Sequence, residues 1–220
     1  MLSILFLLLW QLLTLTLSGV VYCRKRNSGF LVLAGLLLLQ ILANIFQLEA
    51  FSSNPLFFRI RYAISSLSVA AYTFLLLRNL KHPLFKYFAC ALIGYFTCAA
   101  IYLLWIPSDL LTSFINYLLV AASISMVLLC GRYLFETAIN PPMPLPHSSF
   151  PPFVWIAAGL CCYFLSMSVM HAFYGWLQQI TLPVSGSWIF NQVNQVQLVA
   201  LYIYFSVALL IGIPKSNPCI

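Results

Sequence analysis

The sequence predicts an all-α membrane protein, a single bundle of seven transmembrane helices, and three observations carry that prediction. The first is composition: 63% of the 220 residues are apolar and only 6% are charged, whereas a soluble domain carries about a quarter charged residues. Mean hydropathy is +1.01, so there is too little charge to cover a water-facing surface, and the solvent is lipid. The second is segmentation. Apolar runs long enough to cross a bilayer, roughly 20 residues each, occur seven times, and the alternating segments of a membrane barrel, about 10 residues long, are missing. The third is proline, which falls only between the runs and in the tail, where a lost backbone donor is not costly in lipid.

Each run is bounded by breakers. The first covers 2–22, "LSILFLLLWQLLTLTLSGVVY", with no positive charge ahead of it and "RKR" directly after. A signal peptide has the opposite order, so this run is expected to be a retained helix. The second, 30–51, follows "CRKRNSG" and stops at "SSNP"; the third, 60–80, runs from there to "KHP". The fourth, 84–105, ends at "IPSD", and the fifth, 110–135, runs toward the proline-rich "NPPMPLPHSSFPP". The sixth, 153–176, ends at "LPVSGS", and the seventh, 189–211, completes one domain over 1–220.

The basic residues orient the bundle. Arg24, Lys25, Arg26, Arg78, Lys81, Lys86, Arg132 and Lys215 fall on one side of the membrane, and Arg59 and Arg61 on the other. Eight against two places the N-terminus outside and the C-terminus in the cytoplasm. The expected location is the bacterial cytoplasmic membrane. The net charge of +7 is then a topology signal with some attraction to anionic lipid, and nucleic acid is not an expected partner. Of seven cysteines, none falls in an outer loop where a disulfide would form, so they read as small packing residues.

Polar residues within the runs mark the candidate site. In "FNQVNQVQLVALYIYF" Asn191, Gln192, Asn194, Gln195 and Gln197 crowd the outer half of helix seven. At about 100° per residue they spread too widely for a single interhelical bond. Gln40, Asn44 and Gln47 share a face of helix two that ends near Glu49, and Asp109, Thr112, Asn116 and Ser123 share one on helix five. Helix six brings Met167, His171 and Tyr174 up one stripe; helix three opens with Arg59, Arg61 and Tyr62, then Ser65, Ser66 and Ser68. Nearly all lie in the outer half. The expectation is an outward polar cluster of Gln40, Asn44, Gln47, Asn116, His171, Tyr174, Asn191, Asn194 and Gln195, with Glu49, Arg59, Arg61 and Asp109 at its mouth. Amides and serines also glue membrane helices together, and that reading stands beside the first. Pairs such as Ser66 with Ala70, Ala121 with Ser125 and Ala158 with Cys162 mark helices three, five and six as the centre.

Several chemistries lack their residues. A retinal photoreceptor needs a lysine within its last helix, and none precedes Lys215 there. Ion-coupled carriers hold an acid at mid-membrane, whereas Glu49, Asp109 and Glu136 all lie near helix ends. Ser166, Ser168 and His171 lack an orienting acid, and ligand spacing for a metal is missing. The expectation is a protein that is not an enzyme and carries no cofactor.

Two segments resemble a known family. "RIRYAISSLSVAAYTFLLLRNLKHPLFKYF" is similar to helix three and the following basic turn of seven-helix modules associated with bacterial sensor histidine kinases. "FVWIAAGLCCYFLSMSVMHAF", with Trp155, Gly159, Tyr163, Phe164 and Ser166, resembles their sixth helix. The resemblance implies a membrane sensor feeding a cytoplasmic kinase or regulator. After 211 only "GIPKSNPCI" follows, so a separate signalling partner is expected. The alternative is a structural or transport subunit of a larger membrane complex.

Overall fold

The computed structural model describes residues 2–25, 28–45, 55–139, 152–180 and 183–212. All the elements among them are helices: α1 Leu2–Lys25, α2 Ser28–Ile45, α3 Pro55–Leu77, α4 Pro83–Trp105, α5 Ser108–Ile139, α6 Pro152–Ile180 and α7 Pro183–Gly212. Four begin on proline, whose fixed φ suits the first helical turn and whose missing N–H is needed by no carbonyl there. These prolines start α3, α4, α6 and α7 ahead of the first apolar residue of each run. The expected spans followed hydropathy alone, while the helices continue through polar interfacial residues. Helix α5 likewise runs past 135 to Ile139.

Five helical stretches are long and apolar enough to cross a membrane: Leu56–Leu77, Pro83–Trp105, Leu110–Ile139, Pro152–Met170 and Val193–Ile211. The described parts of α1 and α2 contribute shorter apolar stretches, Leu7–Cys23 and Leu31–Ile45. This is a multi-pass membrane protein, and its outer surface agrees. Leu9, Leu84, Ile101, Tyr117 and Val196 stand exposed on four helices, a pattern that water would penalise and lipid does not. On α4, Tyr87 and Trp105 are 77% and 82% exposed. At 1.5 Å per residue they lie about 27 Å apart along the axis, close to the ~30 Å hydrocarbon thickness that aromatic belts bracket.

The helices form a ring. Each packs against its sequence neighbour, α7 returns to α1, and α3 also reaches across to α5. On α5 the buried stripe is Leu111, Ile115, Leu118, Ala122, Met126 and Leu129, a spacing of three and four that keeps one face toward the ring. Helices α6 and α7 approach closely at Gly159, where an added Cβ would stand 2.6 Å from Cβ of Tyr204. Ser66 on α3 donates to the Phe96 carbonyl of α4 at 2.7 Å, in keeping with small residues at close membrane contacts. Cys130 is buried, Cys161 half-buried and Cys90, Cys98 and Cys162 exposed, all as free thiols.

One end of the bundle is tied by an acid. Glu136 on α5 accepts from the backbone N–H of Lys81 at 2.8 Å and of His82 at 3.3 Å, just ahead of Pro83. His82 is the N-cap of α4 and gives no side-chain cap. The carboxylate from α5 instead holds the two N–H groups at and just before that position and sets negative charge against the helix N-terminus. Arg132 donates to the same carboxylate at 2.8 Å and stacks between the rings of Phe85 and Phe135.

Candidate functional site: an interior polar cavity

Inside the ring lies a cavity of about 240 Å³. Five helices bring polar groups to it: Gln40 and Asn44 from α2, a longer stripe from α3, Ser123 from α5, Tyr163 from α6, and Asn194 with Tyr202 from α7. The α3 contribution is Arg61, Ser65, Ser68 and Tyr72, positions separated by four, three and four residues that share one helix face. Val69, Phe96, Ile115, Leu118 and Met167 make its apolar side.

The wall is held by its own hydrogen bonds. Ser65 and Ser68 turn back to the carbonyls of Arg61 and Ile64 at 3.1 and 3.0 Å. The hydroxyl of Tyr202 donates to Gln40 Oε1 and accepts from Gln11 Nε2 at 2.6 Å. One tyrosine thereby joins α7 to both α1 and α2. A turn further along, Thr14 and Ser206 share a 3.1 Å hydrogen bond between α1 and α7. Two buried polar atoms in the wall have no partner in the protein: the Tyr72 hydroxyl, near Gln40 but outside hydrogen-bonding geometry, and Asn194 Oδ1. Leaving such groups unsatisfied costs about 1–3 kcal/mol each.

The two outer arginines separate. Arg59 clamps the turn from α4 to α5, donating to the Ile106 carbonyl at 2.6 Å and to Ser108 Oγ at 3.1 Å, a structural use of positive charge at a helix C-terminus. Arg61 lines the cavity, its guanidinium 5.5 Å from the centre of the Tyr62 ring.

Of the residues expected at the site, Gln40, Asn44, Arg61 and Asn194 converge on the cavity, as do Met167, Ser65, Ser66, Ser68 and Ser123. Gln195 is half-buried beside it, with Oε1 buried and unpartnered. Asn116 does not join them. It is exposed, because it stands one residue, about 100°, from Ile115 on the buried stripe of α5. Gln47 and Glu49 lie outside the described residues, as do the side chains of Asp109, His171, Tyr174 and Asn191. The sequence reading passed over Gln11, Tyr72 and Tyr202. For the tyrosines the signal was present: Tyr72 continues the stripe of Arg61 and Ser65, and Tyr202 lies two turns beyond Asn194. Gln11 stands in the apolar first run with Thr14 and Ser18 at a spacing of three and four, a stripe too short to show which helix it faces.

No family model matches the chain, and comparison with curated proteins and with solved structures finds no match.

Proposed function

We propose that this protein is a non-enzymatic membrane sensor that admits a ligand to its interior cavity and passes the signal to a separate cytoplasmic partner. The cavity carries the reading. A cationic side chain, amides from two helices and tyrosines from three meet in one space. Tyr202 pairs with Gln40 and Gln11, but the Tyr72 hydroxyl and Asn194 Oδ1 are left without a protein partner, which glue alone would not do. On this reading all seven helices span the bacterial cytoplasmic membrane, with the N-terminus outside and the C-terminus in the cytoplasm. The basic count supports that orientation, and exposed Arg78, Lys81 and Lys86 form the inner rim where an acidic partner or anionic lipid would lie. The resemblance to sensor-kinase modules supports the same role.

Cysteine labelling tests the reading. In a cysteine-free background, Ser65→Cys should react with a membrane-impermeant thiosulfonate added from outside to intact spheroplasts. A probe fused after Lys215 should report the cytoplasm. Protection of Ser65→Cys from outside, with ready labelling from inside, would overturn the outward-facing cavity.

A second reading, as a subunit of a larger membrane complex, is favoured by Asn116. With Thr112 it forms an exposed polar strip on α5, which a neighbouring chain would satisfy better than lipid does. Asn116→Leu should leave the isolated protein equally stable or slightly more so. If a co-purifying membrane protein is lost in the same variant, the strip is an interface.

A further inference from the structure

We propose that the cavity takes a small organic monocarboxylate that carries its own hydrogen-bond donor; this rests on the receptor reading above and names its ligand. Three features select that chemistry. Among the described residues lining the cavity, Arg61 is the charged one, so the wall offers an anion a single guanidinium and no second cation to share a phosphate. A planar guanidinium offers five N–H groups in a fork that fits a carboxylate, so it can serve a ligand while holding a contact in the protein.

The unpartnered groups complete the match. The Tyr72 side chain is 2% exposed and lines the cavity, with its hydroxyl unpaired in the wall. It can donate to a carboxylate oxygen. Asn194 Oδ1 accepts only, and so asks the ligand for an N–H or O–H. An amide elsewhere in the ligand wall, that of Gln40, is already engaged by Tyr202. The apolar side, including Val69, Phe96 and Leu118, receives a short hydrocarbon body. The cavity of about 240 Å³ corresponds to about eight times the ~30 Å³ liquid share of a water, which admits a hydroxy acid or amino acid and excludes a lipid chain.

The test uses the full chain in lipid nanodiscs, with lactate, valine and para-hydroxybenzoate as probes, each beside its primary amide. At least one acid should raise the unfolding temperature saturably, while its amide does not. Arg61→Gln should weaken that acid by roughly tenfold or more, and Asn194→Leu should erase its preference over an acid lacking the donor. Should Arg61→Gln fail to fold, Arg61→Lys keeps the charge and loses the fork, and should still weaken binding. The proposal is overturned if the amides bind as well as the acids, if the Arg61 variants keep full affinity, or if no acid binds. Amides binding without acids would sink the ligand class and leave the cavity reading standing. Silence from every probe, together with a Ser65→Cys site closed to outside reagent, would sink both.

Discussion

At the scale of single residues, neighbours in sequence have been sorted into different work by the direction in which they point. Arg59 and Arg61 lie two positions apart, about 200° around a helix. One secures the turn between α4 and α5, and the other enters the cavity. Gly159 shows the same dependence on place. Its absent Cβ is what lets α7 approach, since a methyl there would meet Tyr204 Cβ at 2.6 Å, backed by Leu201. A Cβ cannot swing away as a side-chain tip can, so the backbones must part. Gly159→Ala should therefore destabilise the protein by about 1–3 kcal/mol. Gly94→Ala, where nothing lies within 4 Å, should be neutral or stabilise by up to about 1 kcal/mol through helix propensity. Thermal unfolding of the two purified variants separates these effects. Equal unfolding temperatures would show that α6 and α7 are looser at Gly159 than the geometry gives. The sequence shows this glycine beside the small pair Ala158 and Cys162, but which neighbour occupies the space is not legible in α6 alone.

Helices bring the next level of constraint, and α5 illustrates it. Its 32 residues extend about 48 Å at 1.5 Å per residue, well beyond the hydrocarbon core, and the excess carries Glu136 to the start of α4. Hydropathy ended the fifth span at 135 because Glu136 is charged, yet the helix continues to Ile139 and the charge is used within it. Its carboxylate satisfies two backbone N–H groups that the His82–Pro83 junction leaves without helical partners. Arg132, which the sequence offers as one of the basic residues that orient the bundle, holds the carboxylate in place. A tie between residues some fifty positions apart leaves no local pattern, so no reading of one segment could find it. Glu136→Gln keeps the shape and one acceptor oxygen but loses the charge that strengthens all three bonds. It should cost about 1–3 kcal/mol, and hydrogen exchange should quicken in the first turn of α4 before it does elsewhere. Uniform exchange across α3, α4 and α5 in the variant would mean that the carboxylate is not a local cap.

Across the whole molecule, the ring explains both what the sequence disclosed and what it withheld. The seven described helices in chain order, each packed on the next, follow from seven apolar runs joined by breakers. The polar stripes of α2, α5 and α7 are expected to converge. Asn44 of α2 and Asn194 of α7 do line one cavity, Gln195 is half-buried beside it, and Asn116 of α5 faces outward. Closure of the ring was not legible, because α1 reads as a lipid-facing helix with scattered polar residues. In the structure Gln11, Thr14 and Ser18 are fully buried at a spacing of three and four, and the first two meet Tyr202 and Ser206 of α7. Tyr202 is the joint of this arrangement, since its one hydroxyl accepts from α1 and donates to α2 while its ring helps to line the cavity. Tyr202→Phe removes both bonds and leaves the Gln11 amide N–H and Gln40 Oε1 without that partner. Interhelical hydrogen bonds in membranes average about 0.6 kcal/mol and reach about 1.7, so the variant should lose about 1–2 kcal/mol of stability. Replacing Gln11, Gln40 and Tyr202 together by Leu, Leu and Phe should recover much of the loss, because the stranded polar groups leave with their partner. A ring held shut by these bonds should also let α1 separate first, so disulfide trapping between cysteines placed on α1 and α7 should slow in Tyr202→Phe. Trapping at an unchanged rate, with unchanged stability, would show that apolar packing alone closes the ring and that Tyr202 belongs only to the cavity.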